Sequence, residues 1–137
     1  MTKTTKLSDL QDGTTVTVRI KRTVVTATVA ASDAARSHGL GGAAPLAVDR
    51  GMLFVASPHD VPVFTMRGVT FPIDIVWITA GTVSEVTPNV RPQPGVPDAQ
   101  LTRYKPSSPV EHVLEVPAGW AAQHGIKPGD PVAISSS

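Results

Sequence analysis

The alternation of apolar and polar residues along the chain predicts a protein built mainly of short strands. Val16, Val18 and Ile20 alternate with threonine and arginine, and a second run with the same period ends at Val29. A two-residue period places successive side chains on opposite faces of an extended strand, one of which is buried. About eight strands are predicted in this way. They cover residues 16–20, 24–29, 52–56, 61–67, 72–79, 83–87, 110–116 and 132–134.

Two short helices are predicted between these strands. Ser32 or Asp33 can accept a hydrogen bond from the first free N–H groups of a helix over residues 34–38, which ends at Gly39. A second helix is predicted to begin at Pro117, because the first turn of a helix tolerates proline, and to end at Gly125.

The segment between Pro88 and Pro109 is predicted to be a long loop. It holds six of the thirteen prolines, and each proline removes a backbone donor that a central strand or a helix interior needs. Loops of this length in compact domains are more often functional or mobile than accidental. We therefore expect the loop to contribute to a binding surface.

Together these elements favour a mainly β fold, either a small β sandwich or a partly closed barrel of about eight short strands with two short helices. We expect an N-terminal extension over residues 1–14, a single β domain over 15–134 and a disordered tail over 135–137. One shared core is expected from the apolar faces of the strands. Its members would be Val18, Val29, Leu53, Phe64, Ile75, Leu114 and Val132.

Composition narrows the class of protein without identifying its partner. The chain has 137 residues, a formal net charge of +1 and no cysteine, so it suits one domain and excludes disulfides and thiolate chemistry. The near balance of charges does not favour nucleic acid or an anionic membrane as a partner. Polar residues fill the N-terminus, and the apolar runs are only strand-length. A cytoplasmic protein without membrane insertion is therefore expected.

Five blocks in succession carry a resemblance to a known family. They are Ala31-Ser32-Asp33 with Arg36 and Gly39-Leu40, then Gly51-Met52-Leu53-Phe54, Phe64-Thr65-Met66-Arg67, Pro72-Ile73-Asp74-Ile75, and Val113 to Gly119 with Gly125 to Asp130. This succession resembles the bacterial and archaeal domain of unknown function 192 family, over about residues 16–134. The resemblance implies a compact, mainly β domain and no established biochemical activity. Thr65, Arg67 and Gly68 stand where Trp, Lys and Asn are common in that family.

Arg67, Asp74 and Glu115 are the candidate ligand-binding residues, since each lies in one of these blocks. A guanidinium can bridge two carboxylates through bidentate hydrogen bonds. One interpretation is a structural ion network that orients the strands. The other makes Arg67 an anchor for an anion in a cleft, close to the proline-rich loop.

Other chemistry finds little support in the sequence. His38, His59, His112 and His124 show no helical i, i+4 pair, so no metal and no cofactor is predicted. Neither a serine nucleophile motif nor a phosphate-binding loop is present, and no catalytic residue is assigned. Only six aromatic residues are available, which disfavours a nucleic-acid stacking surface.

The sequence therefore predicts a non-enzymatic binding or interaction module for a protein or a small polar ligand. One alternative is a structural accessory component of a larger assembly, such as a virion or an envelope complex. The other is a small carboxylate-based enzyme or sugar-binding domain. That alternative requires Asp74 and Glu115 to face one open cleft, about 5 to 9.5 Å apart. The oligomeric state is not specified by any of these patterns.

Overall fold

The structure is a computed structural model that describes residues 10–56 and 60–136. Within these residues the chain forms seven strands and two short α-helices. The strands are β1 (Thr15–Ile20), β2 (Thr23–Ala30), β3 (Arg50–Val55), β4 (Ile73–Thr79), β5 (Thr82–Val90), β6 (His112–Pro117) and β7 (Val132–Ser136). The helices are α1 (Asp33–His38) and α2 (Trp120–Gln123), and a single 3₁₀ turn covers Asp98–Gln100. Neither α-helix has the length and apolar character to cross a bilayer.

All seven strands belong to one curled sheet in the order β5-β4-β6-β3-β2-β1-β7. Strands β2 and β3 pair in parallel, joined through α1, and the other neighbours pair antiparallel. The two edge strands meet at one end, where the Val83 N–H donates to the Asp130 carbonyl at 2.9 Å and the Val132 N–H donates to the Gly81 carbonyl at 2.9 Å. The expected mainly β fold with two short helices is thus confirmed, as a partly closed barrel.

The predicted strand over residues 61–67 is wrong. Only Phe64 makes a strand-like pairing, exchanging two hydrogen bonds of 2.8 Å with Tyr104. Pro62 lacks a donor, and the segment lies across the outer face of the sheet instead of along an edge. The Phe64 ring packs there edge-on against Phe54 and Trp77, with centroids 4.8 and 5.7 Å apart.

The seven residues predicted to share one core are buried or half-buried, but they divide between two clusters. Val18, Val29, Leu53 and Leu114 lie in a cluster to which every strand contributes, and Val132 packs against it. That cluster fills the interior of the curl. Ile75 and Phe64 belong to the second cluster, which lies between the outer face of the sheet and the segments that cover it. The chain buries both faces of its central strands, so alternation alone does not assign one core.

The expected domain limits need correction at both ends of the described chain. Leu10, placed in the N-terminal extension, is buried in the interior cluster. The Gly13 N–H donates to the Val29 carbonyl at 2.9 Å. At the other end, β7 continues through Ser136, and Ser135 pairs with Thr17 on β1. The predicted disordered tail is therefore wrong for Ser135 and Ser136, while residues 1–9, the predicted turn at 57–59 with His59, and Ser137 lie outside the described residues.

Both predicted helices exist with slightly different limits. The Ser32 hydroxyl accepts a hydrogen bond of 3.1 Å from the Ala35 N–H, so Ser32 caps α1 and Asp33 opens it. Gly39 ends α1 with φ of 52°, a backbone conformation that glycine adopts without strain. The second helix begins at Trp120, because Pro117 is the last residue of β6.

Gly51 on β3 is required by the close approach of β6. A β-carbon at this position would lie 2.6 Å from the Glu115 carbonyl oxygen and 3.2 Å from Cγ1 of Val116. We expect Gly51→Ala to lower the free energy of unfolding by about 3 kcal/mol, because the two strands must move apart. Urea denaturation of the variant measures this loss. Gly13→Ala is the control, because its β-carbon meets nothing within 4 Å and adds only the cost of a left-handed alanine. Equal losses in the two variants would contradict the proposed steric cause.

Candidate functional site

Glu115 is a buried carboxyl group on the outer face of the sheet. On β6 it lies between Met52 of β3 and Ile75 of β4, both of which face the second core cluster. Its exposed fraction is 4%. Within the described part of the chain, no side chain or backbone group forms a hydrogen bond or ion pair with its carboxyl. Burial raises the pKa of Glu115 to about 8, so the group is mostly protonated at neutral pH.

This carboxyl lines a cleft of about 230 Å³ between α1, β3 and the segment around Phe64. Glu115 is the buried polar residue of the lining and therefore lies at its base. The polar residues nearer to solvent are Arg36, Ser37, His38, Thr65, Arg67 and Arg103. A carboxylic acid thus lies beneath a rim that carries three guanidinium groups.

Arg67 is held only loosely at the rim. Its side chain is 57% exposed, with Nη1 3.5 Å from Oδ2 of Asp98 and Nη2 3.4 Å from the Ser37 carbonyl oxygen. Contacts of this length at an exposed site contribute at most about 1 kcal/mol. Most of the hydrogen-bonding capacity of the guanidinium is therefore available to a ligand.

The second guanidinium of the rim, that of Arg36, is oriented by two neighbours. Its Nη1 donates to the Val55 carbonyl at 2.8 Å, and its Nη2 pairs with the Asp33 carboxylate. Arg103 completes the rim from the proline-rich loop. The Phe64–Tyr104 pairing anchors that loop beside the cleft, so Arg103 is placed by its neighbour in sequence.

Glycines bring Arg67 to the end of α1. The Gly42 N–H donates to the Gly68 carbonyl at 3.0 Å. A β-carbon on Gly41 would lie 3.0 Å from the His38 carbonyl oxygen and 3.3 Å from that of Arg67. Gly41 and Gly42, which follow the helix stop at Gly39, thus allow backbone contact between the end of α1 and the turn that carries Arg67.

Asp74 lies on the other face of the sheet from Glu115. Ile75 pairs with Glu115 and Asp74 pairs with Val116, so the two carboxyl groups point to opposite faces. Oδ1 of Asp74 accepts a hydrogen bond of 2.8 Å from the Asn89 N–H, and Oδ2 accepts one of 2.9 Å from the Ala121 N–H. The structure therefore brings together Arg67 and Glu115 of the expected trio and leaves Asp74 outside the cleft, tied to β5 and α2.

This placement also separates the two carboxyl groups that a carboxylate-based enzyme would need in one cleft. Asp74 is 1% exposed, and both of its carboxylate oxygens already accept hydrogen bonds. Asp74 and Glu115 do not form the catalytic pair that the alternative hypothesis required.

Three basic lining residues, Arg36, His38 and Arg103, were not among the candidate ligand-binding residues that the sequence predicted. Arg36 belongs to the first family block, and its place in that block was the sequence signal that could have identified it as a site residue. Arg103 lies in a loop without periodicity, and nothing local indicates which way it faces. Among the histidines, His112 is half-buried on β6 and its Nε2 has no hydrogen-bond partner in the part of the chain that the structure describes, while the His124 ring lies 5.2 Å from that of Trp120. The described residues contain no group of three side chains able to hold a metal ion.

Comparisons with known proteins agree with this fold. A family model described as "Uncharacterized ACR" matches residues 14–134. A structure from Sinorhizobium meliloti 1021, provisionally described as a transcription regulator, is 25% identical with a TM-score of 0.79, over 89% of this chain and 95% of that one. A protein of unknown function from Novosphingobium aromaticivorans DSM 12444 is 30% identical with a TM-score of 0.73, over 96% of this chain and 91% of that one. The comparison with curated proteins found no match.

Proposed function

The chain belongs to the domain of unknown function 192 family, and from that premise we propose that it is a binding domain whose cleft takes a small ligand bearing an oxyanion. One observation carries the proposal: the carboxyl of Glu115, which has no partner among the described residues, lies buried beneath a rim of arginines. A buried polar group without a partner costs stability, and proteins retain such groups mainly at functional sites.

The chemistry of the two ends of the cleft is complementary to an oxyanion. At neutral pH the protonated Glu115 carboxyl can donate a hydrogen bond to an acceptor on the ligand. Arg67 can donate two parallel hydrogen bonds to a carboxylate or phosphate, an arrangement that its planar guanidinium favours. Arg36 and Arg103 add positive charge around the opening, which raises the local concentration of anions.

A binding role fits the cleft better than the carboxylate-based enzyme, because Asp74 lies on the opposite face from Glu115. The description of the Sinorhizobium structure raises nucleic acid as another partner. Against it, the two described α-helices have six and four residues, too short for a recognition helix of several turns in the major groove. The net charge of +1 also provides no broad basic surface.

Binding of simple anions tests the proposal. We expect acetate, inorganic phosphate or glucuronate to shift the amide resonances of α1, β6 and the Arg67 turn in NMR titrations, while neutral glucose shifts none of them. Arg67→Ala should weaken this binding at least tenfold and change the melting temperature by less than about 2 °C, because the side chain is exposed and only loosely paired.

Arg22→Ala is the matched control, since Arg22 is exposed in the turn between β1 and β2 and does not line the cleft. It removes the same charge from the chain and should leave binding within twofold of the original. The proposal fails if none of the three anions binds, or if the two arginine variants weaken binding equally.

A further inference from the structure

A second cavity adjoins the Glu115 cleft and determines the size and chemical class of ligand that the combined site can bind. Its volume is about 360 Å³, and five residues line both cavities. The shared residues are Arg36, Ser37, Phe54, Val63 and Phe64. The two spaces therefore have a common wall and lie side by side, and together they reach the size typical of small-molecule sites, about 300–1,000 Å³.

The second cavity differs from the first in chemical character. Beyond the shared wall, it is lined by Ala56, Pro62 and Val113 together with Asp60. Val63, at the junction, is 47% exposed although it is a large apolar side chain. Apolar surface left open inside a concave site is where a ligand gains from burial of its own apolar part.

We propose that the ligand is a monoanion with an apolar body, such as an aryl or short-chain acyl carboxylate. This inference rests on the proposed function of the Glu115 cleft and adds the class of ligand. The oxyanion lies at the Glu115 and Arg67 end, where its charge is compensated. The body extends past Phe54 and Phe64 and packs against Val63 and Pro62 in the second cavity. Beyond the shared Arg36 and Ser37, the second cavity is lined by Ala56, Pro62, Val113 and the acidic Asp60, so an anionic group placed at that far end would lose water without gaining a cationic partner.

Asp60 makes the site selective for a single negative charge. It lines the second cavity, and its carboxylate would lie near the far end of any ligand whose head is bound by Arg67. A dicarboxylate would bring a second negative charge toward Asp60, which disfavours binding. The Asp60 side chain is exposed, so salt reduces the repulsion without removing the preference.

A series of carboxylates tests this inference by isothermal titration calorimetry. We expect phenylacetate to bind at least tenfold more tightly than acetate, and adipate to bind more weakly than hexanoate. Val63→Ser should weaken phenylacetate binding at least threefold more than it weakens acetate binding. Val48→Ser is the matched control, because Val48 is 83% exposed and lines neither cavity. Asp60→Asn should improve the binding of adipate relative to that of hexanoate.

The outcomes separate this inference from the proposed function. If acetate binds in a manner that depends on Arg67 but phenylacetate binds no better, the ligand class is wrong and the oxyanion site stands. An equal effect of the two valine variants would also overturn the ligand class. If no carboxylate binds the unsubstituted protein, the proposed function itself fails and this inference fails with it.

Discussion

Glu115→Gln is expected to make the protein more stable at alkaline pH and to remove most of the loss of stability between pH 4.5 and 8. Burial raises the pKa of Glu115 from 4.5 in the unfolded chain to about 8 in the folded protein. Between these two values the folded state holds a proton that the unfolded state has released. The free energy of unfolding therefore falls as the pH rises through this window, and the loss is complete above about pH 8.

The size of this effect follows from the two pKa values. Each pH unit in the window costs about 1.4 kcal/mol, so the loss attributable to Glu115 reaches up to about 5 kcal/mol at pH 9. Glutamine has nearly the shape of the protonated acid and cannot ionise. At pH 5 the variant should match the original protein, and at pH 9 it should be more stable by several kcal/mol.

Urea denaturation at pH 5, 7 and 9 measures the difference. Asp49→Asn is a control that removes one exposed carboxylate, and asparagine tolerates the φ of 61° found there. This control should show no comparable gain at pH 9. A constant difference between Glu115→Gln and the original protein across the three pH values would contradict a carboxyl group held neutral by burial.

Asp74→Ala is expected to lower the free energy of unfolding by about 4 kcal/mol. The substitution leaves the N–H groups of Asn89 and Ala121 without their acceptors; the buried Ala121 donor costs about 1–3 kcal/mol, and the Asn89 donor, at an exposed residue, adds less. The Ala121 N–H belongs to the first turn of α2, so the packing of that helix on the interior cluster also weakens.

Chemical denaturation and near-ultraviolet circular dichroism, which reports on the Trp120 environment, check this prediction. Asp74→Asn keeps one carbonyl oxygen and should lose about half as much stability. Asp98→Ala is the exposed comparison, and its loss should stay below about 1 kcal/mol because its pair with Arg67 is long and solvated. Anion binding should persist in folded Asp74→Asn. A loss of binding without a loss of stability would instead assign Asp74 to the ligand site.

Much of the local structure was predictable because its causes are local. The two-residue period of β1 and β2, the Ser32 cap and the Gly39 stop each depend on neighbouring residues, and the structure has all of them. The predicted strand over 61–67 failed where a local pattern competed with packing. There Pro62 lacks a donor, only Phe64 pairs in a strand-like way, with Tyr104, and the Phe64 ring packs against Phe54 and Trp77.

The candidate site was only partly predictable for a related reason. Arg67 and Glu115 were identified from their blocks, and the cleft joins them. Asp74 was grouped with them because it also lies in a family block. A family block does not indicate the face of the sheet toward which a side chain projects. Arg103 was missed as part of the site because a residue in a proline-rich loop acquires its orientation from a distant contact, here the pairing of Phe64 with Tyr104.

The sequence by itself determined the mainly β class, the helix limits to within three residues and the family. The tertiary structure alone decided that β4 and β6 pair with Ile75 opposite Glu115, which places one carboxyl in the cleft and the other behind the sheet. A shift of that register by one residue would place both carboxyl groups on the same face. Register depends on packing summed over the whole sheet, whereas periodicity depends on each strand separately. Only the folded chain could therefore distinguish the residue that faces the cleft from the residue that stabilises the contact with β5 and α2.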